Sequence, residues 1–123
     1  MPLHKFITKY DDETVNWFPK QVKYPPVRHS QNKWRIFTQD SITIQPRGTF
    51  TAVLAFGVTM DTNGICLVSL KQDLKQKRLS LQDGTVSEDV DDIIITLQNN
   101  SNSEVTIAEG QSFCFVNYHM PAR

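Results

Sequence analysis

A chain of 123 residues, 39% of them apolar and 21% charged, is long enough to bury one core and lies far from the low-hydrophobicity, high-charge composition of disordered chains. Lysine plus arginine and aspartate plus glutamate number 13 each, so no net field draws the chain to nucleic acid or anionic membrane, and any such binding has to be local. No run of about 18 apolar residues occurs, and Met1-Pro2-Leu3-His4-Lys5 leads into polar sequence, which predicts an intracellular protein that spans no membrane.

The first 33 residues hold Trp17-Phe18-Pro19, Tyr24-Pro25-Pro26 and scattered charges without sustained periodicity, and they read as an extended Pro-rich, aromatic arm (1–33) ahead of one β domain (34–123). Ser41 to Ile44 alternates, Gln45-Pro46-Arg47-Gly48 turns, and Thr49 to Met60 reads as one long strand with Phe50, Ala52, Leu54 and Phe56 on one face. Asp61-Thr62-Asn63-Gly64 carries an Asn-Gly pair and predicts a hairpin into Ile65 to Leu70. Lys71 to Lys77 reads as a loop or a single helical turn, and Leu79-Ser80-Leu81 resumes alternation. Asp83-Gly84 opens an acidic turn that ends at the β-branched run Ile93 to Leu97, which predicts a well-buried strand; Val105 to Ile107 and Phe113 to Val116 follow. Strands recurring every roughly 8 to 12 residues predict an all-β sandwich or barrel.

Few side-chain groupings carry chemistry. Cys66 and Cys114 lie in apolar stretches without CxxC spacing and read as reduced, buried thiols. Asn99-Asn100-Ser101 is a glycosylation sequon in form only for an intracellular chain. Glu88, Asp89, Asp91 and Asp92 lack EF-hand spacing and read as a solvated hairpin tip more than as a cation site. Lys71, Lys75, Lys77 and Arg78 read as a solvated loop, or as a contact for the acidic turn of a neighbouring subunit, ahead of nucleic acid. His4, His29 and His119 have no ligand partner at i+2 to i+4 and read as surface residues. Tyr10, Trp17, Phe18, Tyr24 and Trp34 interleave with Lys20, Lys23, Arg28 and His29, which suits base stacking, but docking onto the protein's own sheet is favoured because aromatics left in water are a liability. No catalytic, cofactor-binding or metal-ligating residue is assigned.

From about Asp40 to Val116 the order of elements resembles a dUTPase subunit. The residues that carry the likeness are Ile44-Gln45-Pro46-Arg47-Gly48, where the family has a strand ending in a Pro-Gly turn; Phe56-Gly57-Val58, similar to its Thr-Gly-Val; and Leu79 to Val86, similar to its approach to the Gly-Val-Ile-Asp motif. Ile94 to Asn99 follows its Val-x-Leu-x-Asn strand and Ile107 to Gln111 its Val-x-x-Gly-Asp turn. The resemblance implies a jelly-roll-like β-sandwich, an assembly that in the family is usually a trimer, and a scaffold that elsewhere hydrolyses dUTP.

Against the family's motifs, Ser87 stands where an aspartate binds deoxyribose and orients water, and Val90 where a tyrosine packs beneath the sugar. Asp73 falls in the phosphate-binding segment matched by Ser69 to Lys75, Arg35 at the first motif's aspartate, and Phe115 at the fourth motif's glutamine; the family's glycine-rich arm does not follow before Arg123. These differences lead to the expectation that the chain is not an enzyme. They also resemble the non-enzymatic, dUTPase-derived adapter proteins of adenovirus early region 4, which implies binding to host proteins in the cytoplasm or nucleus; PDZ binding is not expected from Met120-Pro121-Ala122-Arg123. The rival expectations are an active dUTP pyrophosphatase with unusual site residues and a structural virion component.

Overall fold

Short runs in which every second residue is apolar form strands when the apolar face has something to pack on. The computed structural model describes residues 10–11, 15–60, 64–82 and 84–119. Along the chain these form β1 (Tyr10–Asp11), β2 (Val15–Pro19), β3 (Val27–Ser30), β4 (Lys33–Phe37), β5 (Ile42–Ile44), β6 (Thr49–Val53) and β7 (Phe56–Met60). Then come β8 (Ile65–Leu70), the single turn α1 (Gln72–Gln76), β9 (Leu79–Leu81), β10 (Thr85–Val86), β11 (Ile94–Asn99), β12 (Val105–Ile107) and β13 (Ser112–His119). A five-stranded antiparallel sheet runs β10-β8-β13-β4-β3, beside sheets β1-β2-β7, β6-β11-β9 and β12-β5. The inner faces share one apolar core. The all-β sandwich expected from the strand spacing is the observed fold.

Three local expectations are corrected. The segment before residue 34 is not an arm outside the strands: β2 pairs with β7 in the register Trp17↔Val58, and Val15, Trp17 and Phe18 are buried. Trp17 lies 6.2 Å from Trp34 and 5.6 Å from Phe56 between ring centroids, and Trp34 lies 5.1 Å from Phe56. Val15 and Trp17 do alternate, but too briefly, and too close to proline, to register as a strand.

The run Thr49 to Met60 is two strands in different sheets. Ala55 takes a left-handed φ of 53° between them, a conformation that costs a residue bearing a Cβ roughly 1–2 kcal/mol, and its carbonyl accepts from Lys20 N at 3.1 Å. Ala52, Leu54 and Phe56 are buried, and Phe50, near the start of β6, is 37% exposed.

The strongest hairpin signal joins strands that do not pair. β7 is bonded to β2 and bridges Val90, while β8 is bonded to β13 and β10. Asp61, Thr62 and Asn63 of that turn lie outside the described residues, as do Asp83, His4 and the C-terminal tetrapeptide. Gly64 is required for another reason: a Cβ there would stand 2.5 Å from the Tyr118 ring.

One buried polar side chain ties three elements. Asn99 Nδ2 donates to the carbonyls of Ile44 (3.0 Å), Gln45 (3.2 Å) and Ser103 (2.8 Å), and its Oδ1 accepts from Ser101 N (3.0 Å) and Oγ (2.7 Å).

Two predictions follow from this packing. Trp17→Ala should lower the unfolding free energy by about 3–5 kcal/mol, the usual range for emptying a buried aromatic site; a loss below about 1 kcal/mol in denaturant melts would return residues 15–19 to the periphery. Asn99→Ala leaves several buried groups without partners and should cost on the order of 3 kcal/mol, again read from denaturant midpoints.

Candidate functional site

The connection from β10 to β11, two strands of different sheets, holds the positions where sequence reasoning looked for sugar recognition. β10 pairs with β8 at Thr85↔Leu67 and Val86↔Cys66, and Val68 N donates to Gly84 O at 2.6 Å. A Cβ on Gly84 would stand 2.8 Å from the Val68 carbonyl, so this approach needs glycine. Val90 exchanges backbone hydrogen bonds with Val58 at 2.9 and 3.0 Å. Thr85, Val86, Ser87, Glu88, Val90, Asp92, Ile93 and Ile94 line a cleft of about 310 Å³, with Ser87 exposed and Val90 half-buried.

The acidic residues expected at a solvated hairpin tip lie instead in this connection between sheets, and they are not simply solvated. Asp89 Oδ1 accepts from Met60 N at 3.0 Å, and Asp92 Oδ2 pairs with Lys20 Nζ at 2.5 Å. The second oxygen of Asp92 is buried and has no hydrogen-bond partner among the described residues.

Arg35, Phe115 and Ser69 come together. Phe115 stands opposite Arg35 on β4 and opposite Ser69 on β8, forming one row across three strands on the outer face of the five-stranded sheet. Lys33 Nζ lies 4.3 Å from the Phe115 centroid, the Arg35 guanidinium 5.9 Å and the His29 ring 5.9 Å. Asp73 sits exposed in the first turn of α1, which anchors through the buried Leu74. Lys75 lines a second cleft of about 370 Å³ with Val68, Ser69, Leu70, Leu79, Ser80 and Leu81. Within one chain the row and the Ser87–Val90 cleft are thus separate places.

Tyr24 ties the segment before β3 to the turn after β12. Gln39 receives Tyr24 N at 3.0 Å and donates to Tyr24 O at 2.7 Å, while Glu109 accepts from the Tyr24 hydroxyl at 2.8 Å and from Lys23 Nζ at 2.5 Å. The Lys23 and Tyr24 hydrogen bonds hold the Glu109 carboxyl below its ordinary range, so this clamp is present above that range and weakens as pH falls through the lowered value. Both cysteines are free and buried; burial pushes the Cys66 thiol up to about 12 and raises Cys114 as well, which fits inert thiols.

Sequence reasoning missed an apolar surface. Val53 on β6 and Ile94 on β11 stand opposite each other and are 58% and 59% exposed; Phe50, on the other face of β6, is 37% exposed. Ile94 belongs to the run expected to be buried; Ile93, Ile95 and Leu97 are buried, and the alternation that hides them turns Ile94 out. A shallow cleft of about 170 Å³ beside the patch is lined in part by Phe37, Gln39, Asp40, Phe50, Val53 and Phe113. Among the described residues no three His, Cys, Asp or Glu side chains converge to hold a metal, and no helix is long and apolar enough to cross a membrane.

No family model matches the chain, and no curated protein matches it. Solved structures do. The native EIAV dUTPase matches with a TM-score of 0.70 at 16% identity, covering 89% of this chain and 92% of its own. A mutant dUTPase of Staphylococcus bacteriophage 80alpha with dUpNHpp matches at 0.73 and 11% identity, covering 91% and 93%. A mutant dUTPase from phage phi11 of S. aureus, described for its coordination of a structural Mg(II) ion, matches at 0.66 and 12%, covering 80% and 84%. These matches overturn the expectation that the chain is not an enzyme, because each of these structures is a dUTPase. Ser87, Val90, Asp73, Arg35 and Phe115 stand as differences of side chain and decide nothing about activity alone. The chain has the dUTPase-like β fold.

Proposed function

We propose that the chain works as a protein-interaction module of a virus, using the dUTPase-like fold to present a binding surface to host proteins within the cell and assembling as a homotrimer. The observation that carries this reading is the exposed pair Val53 and Ile94, beside the cleft that Val53 lines with Phe37, Phe50 and Phe113. Apolar side chains that are side by side, in register and more than half exposed mark a surface built to be covered. The threonines of the same face, Thr51 and Thr96, lie 3.5 Å apart between their hydroxyls and add hydrogen-bonding capacity without charge. The adenovirus early-region adapters, which the sequence resembles, provide the precedent for this use of the scaffold.

The doubly substituted chain Val53→Glu/Ile94→Glu should keep its cooperative melt, because both side chains face outward, while losing either stoichiometric host protein in affinity capture or the trimer in sedimentation. Unchanged capture and an unchanged sedimentation coefficient would remove the patch from the interface and the reading with it.

A second reading, dUTP hydrolysis, is favoured by the cleft of about 310 Å³ on the β10–β11 connection, which is of ligand size and is lined by the half-buried Asp92 carboxylate on a fold known from dUTPases. Under this reading the purified protein with magnesium releases dUMP and pyrophosphate from dUTP in proportion to its concentration, and Asp92→Asn lowers the rate at least tenfold. Absence of release at micromolar protein excludes it.

A further inference from the structure

The proposal of an interaction module leaves a second surface unassigned. On the outer face of the five-stranded sheet Lys33 and Arg35 sit two residues apart on β4, and β3 lies beside them in the register Val27↔Arg35. Among the described residues no carboxylate pairs with either cation, and Arg35 Nε is buried without an acceptor. A guanidinium N–H taken out of water and left without a partner is costly, and an anion recovers that cost. Beside this face β3 ends the sheet, and among the described residues no strand pairs with its outer edge; Val27 there is 52% exposed. An open strand edge is a template for another strand.

Resting on the interaction reading, we propose that β3 receives an extended acidic peptide of a partner protein, whose backbone continues the sheet and whose alternate carboxylates reach Lys33 and Arg35. The spacing fits. Residues two apart on a strand are about 6.7 Å apart, the interval between alternate side chains of an added strand, and that strand would run roughly 10 Å from β4, within the combined reach of glutamate and arginine. The face excludes the obvious competitor. Base stacking needs a free ring, and the Phe115 ring already carries Lys33 Nζ at 4.3 Å, while the chain's balanced charge supplies no wider field for a phosphate backbone.

The test uses the intact protein and a fluorescein-labelled decapeptide of alternating glutamate and threonine, followed by anisotropy at low salt. Saturable binding should appear, should weaken about tenfold with Arg35→Gln or with Lys33→Glu, each checked for an unchanged melt, and should weaken again at 0.5 M salt. The same peptide methylated on alternate backbone nitrogens should lose binding, because it cannot continue a sheet. The proposal is overturned by no saturation at about 1 mM peptide, by equal binding to the Lys33→Glu protein, by equal binding of the methylated peptide, or by tighter binding of a ten-residue oligothymidylate. Failure here with host capture still dependent on Val53 and Ile94 would reject this edge and leave the interaction module standing.

Discussion

A single primary amide has to satisfy five groups at once where β5, β11 and the turn before β12 meet. Asn99 is fully buried, gives both amide hydrogens to carbonyls of Ile44, Gln45 and Ser103, and accepts from both polar groups of Ser101. Its own N–H donates to Gly48 O at 2.9 Å, which brings in the turn ahead of β6. β5 and β11 lie in different sheets, and the β5–β12 and β6–β11 ladders stop at this corner, where the amide joins the two. Carbonyls that turn away from sheet ladders inside a core need donors, and an asparagine is one of few side chains with two donors and an acceptor in one plane. The register Val105↔Ile44 and the strand β11 on which Ile94 is displayed both depend on that junction.

The second constraint is how four small sheets come to share one core. A long alternating strand would have carried β6 and β7 as one element, but the left-handed residue Ala55 redirects the chain so that β6 joins β11 and β7 joins β2. Trp17 from one sheet then meets Trp34 from another, with the Tyr118 ring edge-on to it at 6.4 Å. Aromatic side chains suit this place because each buries a large area and tolerates tilted contacts, so strands of different direction can meet without matched ridges. The glycines serve the same close packing: Gly64 lies against Tyr118, and Gly110, at φ 75°, lies against the Tyr24 ring.

Much of the architecture was legible. Strands β5, β8, β9 and β12 were readable as short apolar stretches between turn residues, and the one turn of α1 falls in the charged stretch that reads as a loop or a single helical turn. What failed was pairing. The Asn-Gly signal reports only that the chain can reverse locally, while partners are chosen by which edges remain free and which faces must be buried, and those are properties of the whole sandwich. β2 was missed because five residues ending in proline give too few alternations. The exposed Ile94 was missed because a continuous β-branched run looks buried on both sides, although one face of β11 meets solvent. The row of Arg35, Phe115 and Ser69 could not be read at all, since it joins residues 34 and 80 positions apart by strand register alone.

The positions that carry the likeness to dUTPases and those that depart from it fall in different physical environments. Phe56, Gly57 and Val58, Leu97, Asn99 and Ile107 are buried, and Gly84 and Gly110 are held by close approach of a carbonyl or a ring. Replacing any of them opens a cavity, strands a polar group or forces a clash, each a mechanism that costs several kcal/mol at worst and a large share of a small domain's stability. Asp73 and Ser87 are exposed, and Arg35 and Phe115 are half-buried on the outer face of a sheet, where substitution perturbs the fold far less; Val90 is the exception, half-buried against the core and bridged to Val58. Packing therefore constrains the first set whatever the protein does, while the second set is free to follow the ligand. A fold kept under such divided constraint reports little about chemistry. The outward residues, among them the cations around Phe115 and the apolar pair on β6 and β11, are the ones whose identity the packing leaves open.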